Sequence, residues 1–557
     1  MCGIVGIIKK TDKVDSVSLK IMTDAISHRG PDGEGHWVHT NNKVGLGHRR
    51  LSILDLSDAA NQPMHSPCGN YTMVFNGEIY NYLELKQDLL DKGEIFQTES
   101  DSEILLRLYM LFKEKCLEQL DGMWSFAIWD EQNQELFCAR DRFGEKPFHY
   151  CIDDTGFYFA SEMKALWALG IPKKKNKHMF ELYDKSGLIH NPEDLSETFY
   201  ENIYRLEHSH WMKVSISGQV QLHKYYDIDW ENKSYTGTFE EAQTEFKNLF
   251  IKSLKYRLRS DVPVGTSLSG GLDSSTIVCA LHDYLADGKI DANTFSARFK
   301  NYKKDEGKYI HQVLEKTNFS GHETWPTGSD FKGEFKELCT TQEEPFGSAS
   351  IYAQYSVQKL AKKKNVTVLI DGQGADEILA GYIFYYPIYL SQLQISNTSF
   401  GQRTREHNAF IDFHTPHAEW KKTLIKYSFF YELKNRRIIK EKKNKNLPNL
   451  SHTLYKSTMC GDLQDLLRYA DRNSMAHSRE VRLPFLSHEL VEFCFSLPDS
   501  YKLNLGWTKF ILRKAFETSL PYEVCWRKEK VGFEPPQLEW MESFAEKDWT
   551  KLMMSNF

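Results

Sequence analysis

The sequence predicts two domains of different class. The first is an α+β domain of packed antiparallel sheets with helices outside, and the second is an α/β domain with a parallel sheet and flanking helices. Three observations carry this. Short β-type runs divided by Gly, Asn and Asp fill the first ~160 residues. From residue 239 onward helical periods alternate with short apolar strands. The 557 residues suffice for two or three separate cores.

In chain order, "CGIVGII", "VGLGHRRLSIL", "YTMVFNGEIY", "GMWSFAIWD", "ELFCARD" and "GFYFASE" read as strands. "NYLELKQDLLDKG" and "DSEILLRLYMLFKEK" carry apolar residues at helical spacing and read as helices between them. These elements define a first domain over 1–165. Residues 166–238, with the Lys run "PKKKNK", read as a linker ending in the hairpin "HWMKVSISGQVQLHKY". The second domain spans 239–557. It opens on the helix "FEEAQTEFKNLFIKSLKYRL", and its strands are "GTSLS", "ANTFSARF" and "VTVLID". Within it, 383–460 is an aromatic, Lys-rich helical insertion without a chemical motif. Its basic run "KNRRIIKEKKNK" reads as a solvated face.

Composition excludes several classes. Lys plus Arg is 70 against 76 Asp plus Glu, so the net charge of −6 gives no reason to expect nucleic acid as a partner. No apolar run is long enough to span a bilayer, and basic residues follow the apolar start "MCGIVGIIKK", which is the wrong order for a secretory signal. The ten cysteines form no C-x-x-C pair, which argues against a zinc ribbon or disulfide framework and for buried thiols in the cytoplasm. Oligomeric state stays open, with a homodimer among the options.

The first chemical site is Cys2. Removal of Met1 would put its thiol on the same residue as a free α-amine, whose pKa near ~8 lets it accept a proton at neutral pH. Such a nucleophile carries its own general base. "SHRGPDGEG" and "GLGHRRLSILDL" supply Arg29, Arg49 and Arg50. "VFNGEIYN" sets Asn76 and Gly77 at a strand-to-turn junction, where an amide and a backbone N–H can point at one oxyanion. "TESDSE" offers Asp101 before a helix. An arginine for a carboxylate, an acid for an ammonium and an oxyanion hole suit an α-amino acid with a carbonyl side chain.

"MCGIVGI", "HRGPDG", "GHRRLSI", "FNGEIYN" and "ESDSE" resemble, collinearly, the glutaminase domain of N-terminal-nucleophile (class II) glutamine amidotransferases. The resemblance implies a four-layer αββα sandwich of the N-terminal-nucleophile hydrolase type. It also implies that Cys2 attacks the glutamine side-chain amide through a thioester. Asn76 and Gly77 would hold the oxyanion, and Arg49, Glu78 and Asp101 would grip the glutamine.

The second chemical site is "SLSGGLDSS". Gly270 and Gly271 allow close backbone approach, Ser269, Ser274 and Ser275 add hydroxyls, and the following helix offers its N–H groups, so the stretch reads as a phosphate cradle. It lacks the lysine of a Walker A loop, and Asp273 calls for an intervening cation, Mg²⁺. Attack at the α-phosphate of ATP with pyrophosphate leaving fits this pattern. "VTVLIDGQGADEILAGY" places Asp376 after another strand end, where it can meet the same magnesium.

This pair, together with "LLRYADRNSMAHSREVRLPFLSHELVEF" and "TKFILRKAFE", resembles the pyrophosphate-binding-loop ATPase domain of asparagine synthetases, of the adenine nucleotide alpha-hydrolase type. The resemblance implies that ATP lies across Ser267, Leu268, Ala297, Asp371 and Gly372. It gives Lys509 a charge-stabilising catalytic role and assigns the acceptor region to Gln373, Arg472, Ser474, Arg479 and Glu480. The implied reaction joins ammonia from glutamine to β-aspartyl-AMP, giving asparagine, AMP and pyrophosphate, with an internal route for ammonia. Asp371-Gly372-Gln373-Gly374 departs from the family's Ser-Gly-Glu-Gly, and Gln373 cannot act as a base. That leaves an amidotransferase for another carboxylate, such as a cell-wall or polysaccharide precursor, as the alternative. "RLEHSHWM" also departs from a Pro-Gly-His turn. It sets His208 and His210 on one strand face, read as exposed and polar instead of metal-binding, since no third ligand is near. A β-lactam-synthetase-type cyclase is disfavoured by the presence of Cys2, and a silent binding protein by intact Cys2, Asp273, Asp376 and Lys509.

Overall fold

The computed structural model describes residues 2–285, 293–395, 398–414, 449–528 and 532–557. Two six-stranded antiparallel sheets form the N-terminal half. One orders its strands Tyr204–Arg205, His149–Ile152, Gly156–Ala160, Gly3–Lys9, Val44–Arg50 and Gly33–Val38. The other runs Val220–Lys224, His210–Ser215, Glu135–Arg140, Gly122–Asp130, Tyr71–Ile79 and Met64–His65. Their facing sides share a core that includes Ile4, Leu46, Val74, Ala127 and Phe159. Helices Tyr82–Leu90 and Asp101–Phe112 pack Leu89, Leu105 and Tyr109 onto Phe75 and Phe137 outside the second sheet. Helices Ser16–Ala25 and Met163–Ala168 cover the first with Leu19, Met22 and Leu166. The result is the four-layer αββα arrangement. The strand Tyr71–Ile79 is buried at every position, its polar Asn76 and Glu78 included.

The C-terminal half is built on five parallel strands in the order Ser320–Thr324, Asn293–Ala297, Val264–Ser267, Val368–Ile370 and Glu480–Arg482. The chain starts in the middle, moves outward through two strands, then crosses back to the other side. The order therefore reverses between Val264–Ser267 and Val368–Ile370, and a crevice opens there at the carboxyl ends of the strands. Helices Leu272–Leu285, Gly307–Thr317 and Ser350–Lys363 make the crossovers. Strands Ser320–Thr324 and Glu480–Arg482 have no apolar run, the first being half exposed and the second charged at both ends, so neither stands out in the sequence.

Residues 166–238 are more than a linker and hairpin. Lys177–Ser186 is a helix that buries Met179, Phe180 and Tyr183, and the Lys run before it hides this amphipathic spacing. Those side chains share a core with Phe335, Phe346 and Tyr352 of the C-terminal half, so the segment joins the two halves by packing. His210–Ser215 and Val220–Lys224 pair antiparallel at the edge of the second sheet. Within 383–460, helices Tyr385–Ile395, Phe400–His414 and Leu450–Met459 are described. The basic run "KNRRIIKEKKNK" lies outside the described residues. Among the described residues no helix is long and apolar enough to cross a membrane.

Candidate active sites

Cys2 immediately precedes the strand Gly3–Lys9 and is 8% exposed. Its N–H donates to Asn76 Oδ1 at 2.9 Å, and its carbonyl accepts from Arg29 Nε at 3.0 Å. The thiol sits 4.0 Å from the Leu51 carbonyl, in a narrow pocket that Arg50, Gln62, Gly77, Glu78 and Asp101 also line. Burial pushes the Cys2 thiol up, so it rests protonated and needs a base to become a nucleophile. Asn76 is fully buried and accepts this Cys2 N–H. Gly77 has no room for a side chain, because a Cβ there would stand 2.1 Å from the Met123 carbonyl oxygen on the neighbouring strand. Asp101 opens its helix and accepts the Ile79 N–H at 2.8 Å. Burial raises its pKa to about 6.

One expected residue is elsewhere. The Arg49 guanidinium pairs with Asp24 and, at 2.7 Å, with Glu34, and donates to the Thr23 carbonyl at 3.1 Å. The reason is the two-residue period of a strand. Arg49 shares its face with Gly45 and Gly47, which lie against the Ser16–Ala25 helix, whereas Arg50 shares the face of Leu46 and His48. Arg50 therefore lines the Cys2 pocket. It is fixed by the Ser57 carbonyl at 2.7 Å, Asn61 Oδ1 at 2.9 Å and the Asp55 carbonyl.

The second site is a cavity of about 510 Å³ at the switch point of the parallel sheet. Ser267, Leu268, Ser269, Gly271, Asp273, Ser274, Ala297, Asp371, Gly372, Gln373, Asp376 and Lys509 all line it. Gly270 adopts φ +83°, which favours glycine, and turns the chain beside Glu306. Ser269 Oγ and Ser274 Oγ are 3.0 Å apart, and Ser269 Oγ accepts the Gly271 N–H at 3.2 Å, so the loop is held by its own hydroxyls. Ser275 faces the core with no exposure, because it lies a further 100° round the helix from Ser274.

Lys509, 3% exposed and in the left-handed region at φ +51°, reaches between two acids. Its Nζ is 2.5 Å from Asp273 and 2.7 Å from Asp376. Burial opposes its charge, but the two carboxylates outweigh burial and raise its pKa. Gly381 makes this possible, since a Cβ there would fall 1.8 Å from Asp376 Oδ1. Two carboxylates from separate segments that face a phosphate-sized cradle also suit a hard dication completed by phosphate oxygens and water.

The expected acceptor residues other than Gln373 do not line this cavity. Arg472 is buried between Glu343 at 2.8 Å and Glu162 at 3.2 Å. Ser474 donates to the Asp471 carbonyl. Arg479 donates to the His477 and Val366 carbonyls at 3.1 and 2.9 Å. Glu480 pairs with Arg482 at 2.5 Å, and Arg482 in turn reaches Glu78 of the Cys2 pocket at 3.4 Å. The motif is compact in sequence, but its residues disperse: Arg472, and Glu480 through Arg482, reach acids of the N-terminal half, whereas Ser474 and Arg479 bond within the C-terminal half. Cavity residues that the sequence reading missed are Gln354, Tyr469, Arg513 and the Glu306–Arg527 pair at 2.5 Å. They come from four distant segments, and no local string unites them.

His208 is buried instead of exposed. Its Nε2 is 2.6 Å from the Met459 carbonyl and its Nδ1 3.2 Å from that of Arg142. Ser209, at φ +60°, turns the chain before the strand begins at His210, so the two histidines do not share a strand face.

The helix Asp462–Ala476 joins the two sites. Its Leu466 and Tyr469 line the large cavity. Its Asp471 takes a bidentate pair from Arg29 at 2.8 and 2.9 Å, the same Arg29 that holds the Cys2 carbonyl. A small apolar cluster of Leu51, Ile53, Tyr80, Met123, Val368 and Met475 bridges the halves beside the Cys2 pocket.

Comparison with known proteins gives two family matches: a glutamine amidotransferase domain over residues 1–226 and asparagine synthase over 245–556. A relative named putative glutamine-hydrolyzing asparagine synthetase 2, from Methanocaldococcus jannaschii, is 37% identical over 69% of this chain and 76% of its own length. Glutamine-hydrolyzing asparagine synthetases 1 and 3 of Bacillus subtilis are each 30% identical. They cover 98% and 100% of this chain and 88% and 90% of their own lengths.

Proposed function

The chain belongs to the asparagine synthase family, and from that premise we propose how its two sites divide the work of making asparagine from aspartate, ATP and glutamine. The observation that carries the division is a buried thiol pocket and a phosphate-cradle cavity in one chain, bridged by an apolar cluster.

Once Met1 is removed, the α-amine of Cys2 takes the thiol proton, and the thiolate attacks the glutamine side-chain amide. The Asn76 amide and the Gly77 backbone stabilise the oxyanion. Arg50, in place of Arg49, binds the glutamine carboxylate, and Asp101 with Glu78 binds its ammonium. Ammonia leaves, and water hydrolyses the thioester to glutamate. Ammonia then passes along Leu51, Ile53, Met123, Val368 and Met475, whose apolar side chains favour NH₃ over NH₄⁺.

In the cavity the cradle of Ser269, Gly271 and Ser274 takes the pyrophosphate end of ATP, with Ser267, Leu268, Ala297 and Gly372 along its length. Asp273 and Asp376 are the pair that would hold Mg²⁺, whose charge would offset that of the leaving pyrophosphate. Lys509 stabilises the charge that develops as the aspartate carboxylate attacks. The ten unpaired cysteines support a reducing, cytoplasmic setting.

The test is purified protein lacking Met1, given glutamine, ATP and magnesium with aspartate or with a panel of other acids. One pyrophosphate and one AMP per asparagine is expected. Pyrophosphate release only with a non-aspartate acid would reassign the acceptor, and none with any acid would overturn the coupling.

A further inference from the structure

Building on that reading, we propose that Asp371 is the base that removes the proton from nitrogen when the amide bond forms. Ammonia attacks the acyl-adenylate carbonyl and a C–N bond forms. The C–O bond to phosphate breaks, and AMP leaves with the electron pair. The nitrogen must then shed one H⁺, since NH₃ becomes the NH₂ of an amide. Some group in the cavity has to receive it.

Six carboxylates line the cavity: Asp273, Glu306, Asp371, Asp376, Glu377 and Glu534. Four pair with cations and a fifth accepts from a tyrosine hydroxyl. Lys509 lies between Asp273 and Asp376, Arg527 pairs with Glu306, the Tyr382 hydroxyl donates to Glu377 at 2.7 Å, and Lys304 pairs with Glu534 at 2.7 Å. Asp371 is 6% exposed and has no ion pair among the described residues. The neutral side chains of Ser267 and Gln354 hydrogen-bond to it, and its Oδ1 is buried without a hydrogen-bond partner. Burial raises its pKa to about 6, close enough to neutrality for a proton to be taken and returned. Gln373, two residues on, also lines the cavity but cannot accept a proton in this way.

Asp371 also stands where the nitrogen arrives. It caps the strand Val368–Ile370, whose Val368 belongs to the apolar cluster beside the Cys2 pocket. Three residue steps of strand separate the two, roughly 10 Å. Its N–H donates to the carbonyl of Arg482, the residue whose guanidinium reaches Glu78 beside Cys2. On its other side, a Cβ on Gly372 would lie 3.2 Å from the Ser274 amide nitrogen, so the strand end abuts the phosphate cradle.

The experiment compares ammonia with hydroxylamine as nucleophile in Asp371→Asn. The hydroxylamine adduct is more acidic at nitrogen and depends less on a base. A loss of ~10²–10⁴-fold in amide formation is expected with ammonia, against less than ~10-fold in hydroxamate formation, together with excess pyrophosphate per amide. Asp371→Ala should regain ammonia-dependent turnover with added formate, which a folding defect would not permit. Equal losses with both nucleophiles, without formate rescue, would overturn the assignment, as would amide formation at the wild-type rate. The same selective loss in Glu377→Gln with Asp371→Asn unaffected would move the role to Glu377. A wild type that makes no pyrophosphate with any acid would instead overturn the functional reading itself.

Discussion

The two sites are built in opposite ways. The Cys2 pocket is set into the interior of a sheet sandwich, where Cys2, Asn76 and Asp101 are each under a tenth exposed, Asn76 is paired within its sheet, and Cys2 and Asp101 are hydrogen-bonded to that same strand. The second cavity is large and sits on loops at the ends of parallel strands, with walls drawn from many separate segments. A reaction with one small substrate and a covalent intermediate needs placement within fractions of an ångström, which a sheet interior supplies. A site that must admit a nucleotide and a second substrate and release their products needs loops.

The largest test of this contrast is Cys2→Ala. Glutamine-dependent synthesis should fall by at least ~10³-fold while synthesis from ammonium salts at raised pH persists, measured as asparagine formed from each nitrogen source. Lys509→Met should do the reverse. Adenylation should drop ~10²–10³-fold, read as pyrophosphate release, and glutamine hydrolysis should continue. Asp471→Ala probes the seam between the sites. It leaves Arg29 buried with one carboxylate fewer and should destabilise the protein by about 3–5 kcal/mol in denaturant unfolding, with glutamine hydrolysis impaired before ammonia-dependent synthesis.

Arg50→Ala should lower kcat/KM for glutamine by ~10–100-fold, the value of a charge-assisted pair, whereas Arg49→Ala should change it less than ~2-fold. The smallest effect is one of pH. Asp101 faces Glu78 on its own side of the seam and Glu480 and Arg482 across it, and burial holds its pKa at about 6. Its carboxylate exists above that pH, so KM for glutamine should rise as pH falls below about 6, by up to ~10-fold per unit. The sign for stability is opposite. A carboxyl raised above its unfolded value contributes stability below the unfolded pKa and loses it as pH rises through about 6.

The same contrast explains what could be read from the sequence. The N-terminal strands and both of their helices announce themselves, because each apolar string is one element with its own period. Strand alternation was also available to choose Arg50 over Arg49, since His48 and Arg50 occur at the same parity. The Ser/Gly loop at 267–271 and the helix start after it are legible because Ser, Gly and Asp cluster there. The opposite wall of the cavity is not. Gln354, Tyr469 and Arg513 meet only through the crossover of the parallel sheet, and the motif around Arg472 and Glu480 turns out to pair with groups of the seam. The edge strand Glu480–Arg482 carries no strand signal in the sequence because its outer residues are an ion pair instead of an apolar repeat.

The Arg29–Asp471 pair has a consequence for inheritance. Its two halves are encoded more than four hundred residues apart, yet the guanidinium that donates to the Cys2 carbonyl takes one of its two carboxylates from the far half, the other being Glu162. A gene cut near codon 239 would therefore yield a front fragment whose interior cation has lost one of its two acids and whose apolar flank is bared. Chimeras that splice one ancestor's front to another's back should work only where both parents kept this pair.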